Sequence, residues 1–279
     1  MTPLRPVAGV IGWPVNHSLS PRLHRFWLDR AGIDGFYVPL PVSPDQIDAA
    51  LSGLSAFGLR GVNVTVPHKE AVFERLHRLD PLTRRVGAVN TVVVAERGGL
   101  IGRNTDVAGF MDHLRHSAPH WTGPTGPAVI LGAGGAARAA AVGLLDAGVP
   151  GLCLINRNIT RAEALARKLD DPRVRIAGWQ DRTSLLKGTA LLVNTTSLGM
   201  TGQPPLDVEL SLLPGNGVVY DIVYAPLETP LLAEARRRGL TAVDGLGMLI
   251  HQAVPAFEAF YGVRPDPDAQ TRAHLVEVL

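Results

Sequence analysis

The run from Ala128 to Arg157, AVILGAGGAARAAAVGLLDAGVPGLCLINR, constrains this chain more than any other stretch. It reads as an apolar strand, a glycine turn, an alanine-rich helix and a second apolar strand ending on a polar pair, the order of a βαβ unit. Gly132, Gly134 and Ala137 fit G-x-G-x-x-G/A. In that pattern the first glycine permits a tight turn, the second lets a pyrophosphate approach the backbone, and the small third residue lets helix and sheet pack closely. Amides at the helix start then face the phosphates. A unit that binds NAD places Asp or Glu at the end of its second strand, but Asn156 and Arg157 stand there in this chain. A guanidinium forms a fork with the 2′-phosphate of NADP, and Arg161, one helical turn on, adds a second positive charge. A solvated arginine face is the plain alternative, and NADP is favoured over NAD.

At 279 residues the chain has room for two domains, each with a core. A formal charge of +2 gives no electrostatic reason to invoke nucleic acid. The apolar run Val7 to Trp13 is short, ends at Pro14 and has no basic leader, and no segment is long and apolar enough to cross a bilayer. A soluble cytoplasmic protein is therefore expected, with no membrane partner. The single cysteine, Cys153, lies in an apolar strand and reads as a buried small hydrophobe. His113, His116 and His120 do not suggest a metal site, since Pro119 interrupts the segment and no thiol or carboxylate cluster joins them. Only Lys69, Lys168 and Lys187 are lysines, in a chain that otherwise meets its need for positive charge with arginine.

Along the chain, Pro6 to Gly12 is strand-like, and Ser20 followed by Pro21 reads as a cap and first residue of a helix ending near Gly32. Extended Phe36 to Leu40 precedes Ser43-Pro44, a second cap-and-proline start for a helix running through Leu54. A third strand, Gly61 to Val66, leads through Pro67 to a helix from about His68 to Leu76, which puts Lys69 in a first helical turn. Helix dipoles disfavour a cation there, which suits an amine that exchanges protons; a surface lysine in a charged run is an equal reading. Val89 to Ala95 and Leu100 to Asn104 flank Gly98-Gly99 as a hairpin. Asp106 precedes a helix from Val107 to Arg115, and capping is its simplest role. The Pro- and Gly-rich stretch Ser117 to Pro127 breaks the chain before the βαβ unit. Beyond it a helix through Thr160 to Leu169 and strands near Val174, Ala190 to Asn194 and Val218 to Ile222 continue the alternation. NTTSLGM and DIVYAP then follow strand ends, where open parallel sheets bind ligands. The expected fold is α/β, with two lobes around one cleft.

Taken together, GWPVNHSLSPRLH, NVTVPHK, GAVNTV, GRNTD, GAGGAAR, NTTSLGM and GMLIHQA resemble the motifs of the shikimate dehydrogenase family, in that family's order. The resemblance implies a substrate domain over residues 1–106, completed by helices within 244–279, and a Rossmann-type doubly wound NADP-binding domain over 107–243. It implies that Ser18 and Ser20 bind a substrate carboxylate, while Thr65, Asn90, Tyr224 and Gln252 bind the carboxylate or ring hydroxyls. Lys69 and Asp106 would flank the reacting oxygen as the acid-base pair. NADP(H) would meet Gly132, Ala133, Gly134, Gly135, Ala136, Asn156, Arg157, Arg161 and Thr195, with Ile222, Gly245 and Met248 at the nicotinamide. Two departures are visible: Arg25 follows His24 where Asn is usual, and Asn158 follows Arg157 where Thr or Ser is common. The implied reaction is reversible reduction of 3-dehydroshikimate to shikimate, with a quinate/shikimate dehydrogenase of relaxed choice and a non-catalytic ligand sensor as alternatives. The sequence leaves monomer and homodimer open.

Overall fold

The computed structural model describes residues 5–96 and 98–279. The chain divides into two compact units, one running up to Thr105 and resumed by Leu249–Val278, the other spanning Asp106–Met248.

The first unit is built on a six-stranded sheet. Strands β1 (Val7–Gly12), β2 (Phe36–Pro41) and β3 (Leu59–Val64) are parallel, joined by helices α1 (Ser20–Arg30) and α2 (Ile47–Ala56). Helix α3 (Lys69–Arg75), the two-residue β4 (Arg78–Leu79) and α4 (Pro81–Val86) lead to the hairpin of β5 (Thr91–Val94) and β6 (Leu100–Arg103). The sheet order is β2-β1-β3-β5-β6-β4, and β5 runs antiparallel to β3. Gly98 and Gly99 both have φ near +80°, the left-handed conformation that lets this tight turn close without a Cβ clash. One face of the sheet packs Ile47, Leu51 and Leu54 of α2 against Ile11, Val62, Val64 and Val92. On Ala8, Val10 and Tyr37 lie Ala256 and Phe260.

The second unit is organised as the glycine turn requires. Helix α5 (Asp106–Ser117) precedes β7 (Ala128–Leu131), α6 (Gly135–Asp146), β8 (Leu152–Ile155), α7 (Ile159–Leu169) and β9 (Val174–Ala177). After these come β10 (Leu191–Asn194), β11 (Val218–Asp221), α8 (Pro230–Arg237) and β12 (Thr241–Val243). All six strands are parallel in the order β12-β11-β10-β7-β8-β9. This is the doubly wound arrangement, and its direction of winding reverses between β7 and β10. Every residue of β7, β10 and β11 is buried, as expected of strands covered on both faces. The alanines of α6 permit close packing: a Cβ on Gly143 would fall 2.7 Å from Cγ of Met111 on α5. Helices α9 (Leu246–Tyr261) and α10 (Ala269–Val276) end the chain. No helix among the described residues is long and apolar enough to cross a membrane.

Several sequence expectations need correction. Ser20 is the first helical residue rather than the cap, and its amide instead donates to Ser18 Oγ at 3.3 Å. Ser43 opens a short 3-10 turn before α2, and its hydroxyl bonds the Gln46 side chain rather than a helix amide. Asp106 lies within α5 as its first residue. Cys153 is half-buried, and burial pushes its thiol up from the ordinary value.

Candidate active site

The first unit holds six of the residues given to the substrate, on segments beyond strands and on helices. Ser18 and Ser20 follow β1, Thr65 follows β3, Lys69 begins α3, Asn90 precedes β5 and Gln252 lies on α9. Thr65 is fixed by its amide, which donates to Ile11 O at 2.9 Å, and its carbonyl accepts from His68 N at 2.9 Å. The Trp13–Pro14 and Val66–Pro67 bonds on either side of this corner are cis, and Trp13 N donates to Val66 O at 3.1 Å. Lys69 is half-buried at the first position of α3, and its carbonyl accepts from Val89 N at 2.9 Å.

Asn90 is the hub of this group. Its Oδ1 accepts from Thr105 N at 2.8 Å, while its Nδ2 donates to Thr105 Oγ1 at 2.8 Å and to Gln252 Oε1 at 3.3 Å. Gln252 in turn donates from Nε2 to Leu249 O at 2.9 Å. Behind Asn90 stands a second buried layer that the sequence reading did not single out. Asn63 Nδ2 donates to Asn90 O at 3.2 Å and to Thr91 Oγ1 at 3.0 Å. Because a carbonyl can only accept, this fixes the Asn63 amide with Oδ1 towards Tyr37, whose hydroxyl donates to it at 2.7 Å. The same phenol meets the Ser20 side chain. Burial, the largest cause, and the nearby Tyr261 raise the Tyr37 phenol well above its ordinary value, against the Ser20 bond, so it stays a neutral donor. An asparagine inside the apolar strand GVNVTV was the available signal, because a buried amide implies partners.

The second unit holds the remaining residues that the resemblance singles out. Asp106 is buried at the start of α5. Tyr224, three residues past β11, is half-buried, and burial raises its phenol. Of the residues given to the cofactor, Gly132 to Ala136 and Thr195 lie beyond β7 and β10, at the switch point. Gly132 has φ +115°, and any Cβ there would run into Thr195 Oγ1. Thr195 in turn donates from its hydroxyl and its amide to Leu131 O at 2.7 and 2.8 Å. A Cβ on Gly134, by contrast, would meet nothing within 4 Å. The first glycine is thus demanded by the turn and the neighbouring strand end, and the second leaves the approach that a pyrophosphate needs. Gly135 and Ala136 open α6 and present its first amides, after Ala133 in the turn.

At the end of β8, Asn156 Nδ2 donates to Asn158 O at 2.8 Å, and Asn158 caps α7 by accepting from Thr160 N at 3.1 Å. The departure at Asn158 therefore keeps a capping side chain. Arg157 and Arg161 are exposed, and among the described residues neither guanidinium has an ion-pair or hydrogen-bond partner. Two such cations where an acidic residue would select NAD fit a 2′-phosphate. Gly245 N donates to Val223 O at 3.2 Å, and its Cα lies so near Ile222 that a methyl would strike the Ile222 carbonyl. Met248 is buried in the core beside the β11 strand. Arg25, the other departure, is exposed and pairs with Asp29 at 3.0 Å one helical turn on.

Comparison with known proteins accounts for both units. The family model for the shikimate dehydrogenase substrate binding domain matches residues 10–92, that for shikimate / quinate 5-dehydrogenase matches 124–199, and that for the shikimate 5′-dehydrogenase C-terminal domain matches 245–272. A shikimate dehydrogenase (NADP(+)) of Rhodospirillum rubrum is 58% identical over 270 residues, covering 96% of this chain and 95% of that one. The chain belongs to the shikimate dehydrogenase family. Its cofactor is NADP and its activity that of an oxidoreductase. Among solved structures, the Thermus thermophilus shikimate 5-dehydrogenase in complex with NADP(H) and shikimate has TM-score 0.86 at 36% identity, covering 98% of this chain and all of that one. A quinate dehydrogenase from Corynebacterium glutamicum in complex with NAD has TM-score 0.90 at 30% identity, covering 98% and 99%.

Proposed function

We propose that the enzyme catalyses the reversible NADPH-dependent reduction of 3-dehydroshikimate to shikimate, with Lys69 and Asp106 as its acid-base pair. The observation that carries this reading is the neutral hydroxyl-and-amide cluster around Asn90, next to Val89, whose amide donates to the Lys69 carbonyl. A small polyhydroxy acid is recognised by such groups through hydrogen-bond geometry, and an analogue lacking one partner leaves a buried group unpaired. Ser18 and Ser20 take the carboxylate, while Thr65, Asn90, Tyr224 and Gln252 complete its hydrogen bonds and those of the ring hydroxyls.

NADPH supplies the hydride when bound. Lys69 Nζ delivers a proton to the ketone oxygen in reduction and recovers it in oxidation, from the first position of α3. Asp106 accepts a hydrogen bond from the substrate hydroxyl and holds it in register. Arg157 and Arg161 hold the 2′-phosphate, Asn156 and the amides after Gly132 the rest of the adenosine and pyrophosphate, and Ile222, Gly245 and Met248 the nicotinamide. Replacing Lys69 by Ala should lower kcat by about a hundredfold or more at nearly constant KM for shikimate. Turnover at the wild-type rate would end its assignment.

Relaxed choice between shikimate and quinate is the second reading, raised by the C. glutamicum neighbour. The unpartnered arginines after β8 speak against its NAD. The ratio of kcat/KM for the two acids decides it. The same reading makes this a cytoplasmic enzyme, working where NADPH is kept reduced, and sedimentation of the native protein tests the homodimer.

A further inference from the structure

Asp221, the last residue of β11, has a completely buried side chain that the chemistry above does not use. Its Oδ1 accepts from Asn194 Nδ2 at 2.9 Å and from Val223 N at 3.1 Å, and its Oδ2 accepts from Thr229 Oγ1 at 2.7 Å. Each donor belongs to a different piece of backbone. Asn194 ends β10, Val223 lies in the turn after β11, and Thr229 caps α8 by accepting from Leu232 N at 3.3 Å.

The consequences run to the cofactor residues. Asn194 Nδ2 also donates to Leu198 O at 3.2 Å, so an acceptor at position 221 fixes which way that amide faces. Its Oδ1 is then presented to Thr196 N at 3.0 Å and Thr196 Oγ1 at 2.7 Å, which sets the turn carrying Thr195. On the other side, the peptides around Ile222 are held at three points. Ile222 N donates to Asn194 O at 3.1 Å, Val223 N to Asp221, and Gly245 N to Val223 O at 3.2 Å. One carboxylate thus joins the strand end that backs Gly132 to the turn given to the nicotinamide. Burial drives its carboxyl up to about 6, the three hydrogen bonds opposing that rise. A group so costly to bury is retained where its bonds set geometry.

We infer that Asp221 is a positioning residue for the nicotinamide end of the cofactor, acting through Asn194 and the Val223 amide to hold the turns that carry Thr195, Ile222 and Tyr224. This rests on the assignment of Ile222 and Gly245 to the nicotinamide.

The test compares two ligands on the intact enzyme. Asp221→Ala should raise KM for NADP about tenfold, from loss of charge-assisted bonds at two turns. Adenosine 2′,5′-bisphosphate, which reaches only the Arg157 end, should bind within about twofold of wild type. Asp221→Asn keeps an oxygen for Asn194 and Val223 and should bring KM for NADP back to within about threefold. If the alanine variant does not fold, Asp221→Val, which suits a strand and keeps no acceptor, takes its place with the same expected pattern. An unchanged KM for NADP would overturn the proposal, as would equal loss of affinity for the fragment, which marks general loosening. Gly245→Ala separates the assumption from the proposal. Its methyl strikes the Ile222 carbonyl, so an unchanged KM there overturns the assignment of Ile222 to the nicotinamide and the proposal with it. A raised KM there beside an unchanged one in Asp221→Ala overturns the role of Asp221 alone.

Discussion

Lowering the pH should weaken the first unit through one imidazole. His24, on α1, is fully buried, with its ring stacked on Tyr37 at 3.8 Å between centroids and with Trp27, Phe257, Phe260 and Tyr261 around it. Among the described residues neither ring nitrogen finds a hydrogen-bond partner. The titratable groups facing it are the phenols of Tyr37 and Tyr261, both raised by burial and therefore neutral, so nothing nearby holds an imidazolium. Burial accordingly lowers His24 from 6.5 to about 3. In the unfolded chain the ring recovers its ordinary value, so as the pH falls below 6.5 the unfolded state takes up the proton first. Stability is complete above that pH and is lost on the way down to about 3, where the folded ring protonates. The loss is about 2 kcal/mol at pH 5 and approaches about 5 kcal/mol near pH 3.

Asp221 acts in the opposite sense in the second unit. Its folded value of about 6 lies above the ordinary 3.8, so a penalty present at neutral pH is relieved as the pH falls through 6. That relief amounts to at most about 3 kcal/mol and would hide the histidine in a measurement on wild type alone. The comparison that isolates His24 is therefore between wild type and His24→Leu, with amide exchange in α1 and β2 followed at pH 7, 6 and 5. Protection in wild type should fall relative to the variant by about 2 kcal/mol between pH 7 and 5. Parallel curves would show that the buried ring meets its proton at no cost and would refute the argument.

Two further outcomes follow from the cofactor and substrate residues. Arg157→Ala should raise KM for NADP about tenfold or more while leaving that for NAD nearly unchanged, measured as kcat/KM for each dinucleotide. Tyr37→Phe removes the donor to Asn63 Oδ1 and the contact with Ser20; KM for shikimate should rise about fivefold with KM for NADP unchanged, and a parallel rise in both would point to global loosening.

The fold was legible wherever a local rule had one solution. GAGGAA after an apolar strand admits little besides a βα turn, and Gly98-Gly99 between extended runs admits little besides a hairpin; both stand where expected. Short elements escaped because periodicity needs length. Helix α4 has six residues and β12 has three, though Asp80 and Thr229 cap their helices before Pro81 and Pro230 in the pattern used elsewhere. The misplaced caps have a common cause: a serine before proline signals a turn, but whether its side chain reaches a helix amide depends on the incoming chain; Ser18, not Ser20, accepts the Ser20 amide, and the Ser43 hydroxyl is taken by the Gln46 side chain. The site was legible motif by motif and illegible in its connections. Nothing local tells that Asn90 bonds Gln252, 162 residues away, or that Asp221 bonds Asn194 rather than solvent. Tyr37 looks like any strand aromatic until Asn63 is placed beside it.

The most direct test of the central claim is the absorbance of reduced nicotinamide when the enzyme is mixed with shikimate and NADP, beside NAD and quinate controls. Growth of the signal with shikimate and NADP, and far less with any other pairing, is the predicted result. Folded protein that gives no signal with any pairing, or that works best with quinate and NAD, would contradict it.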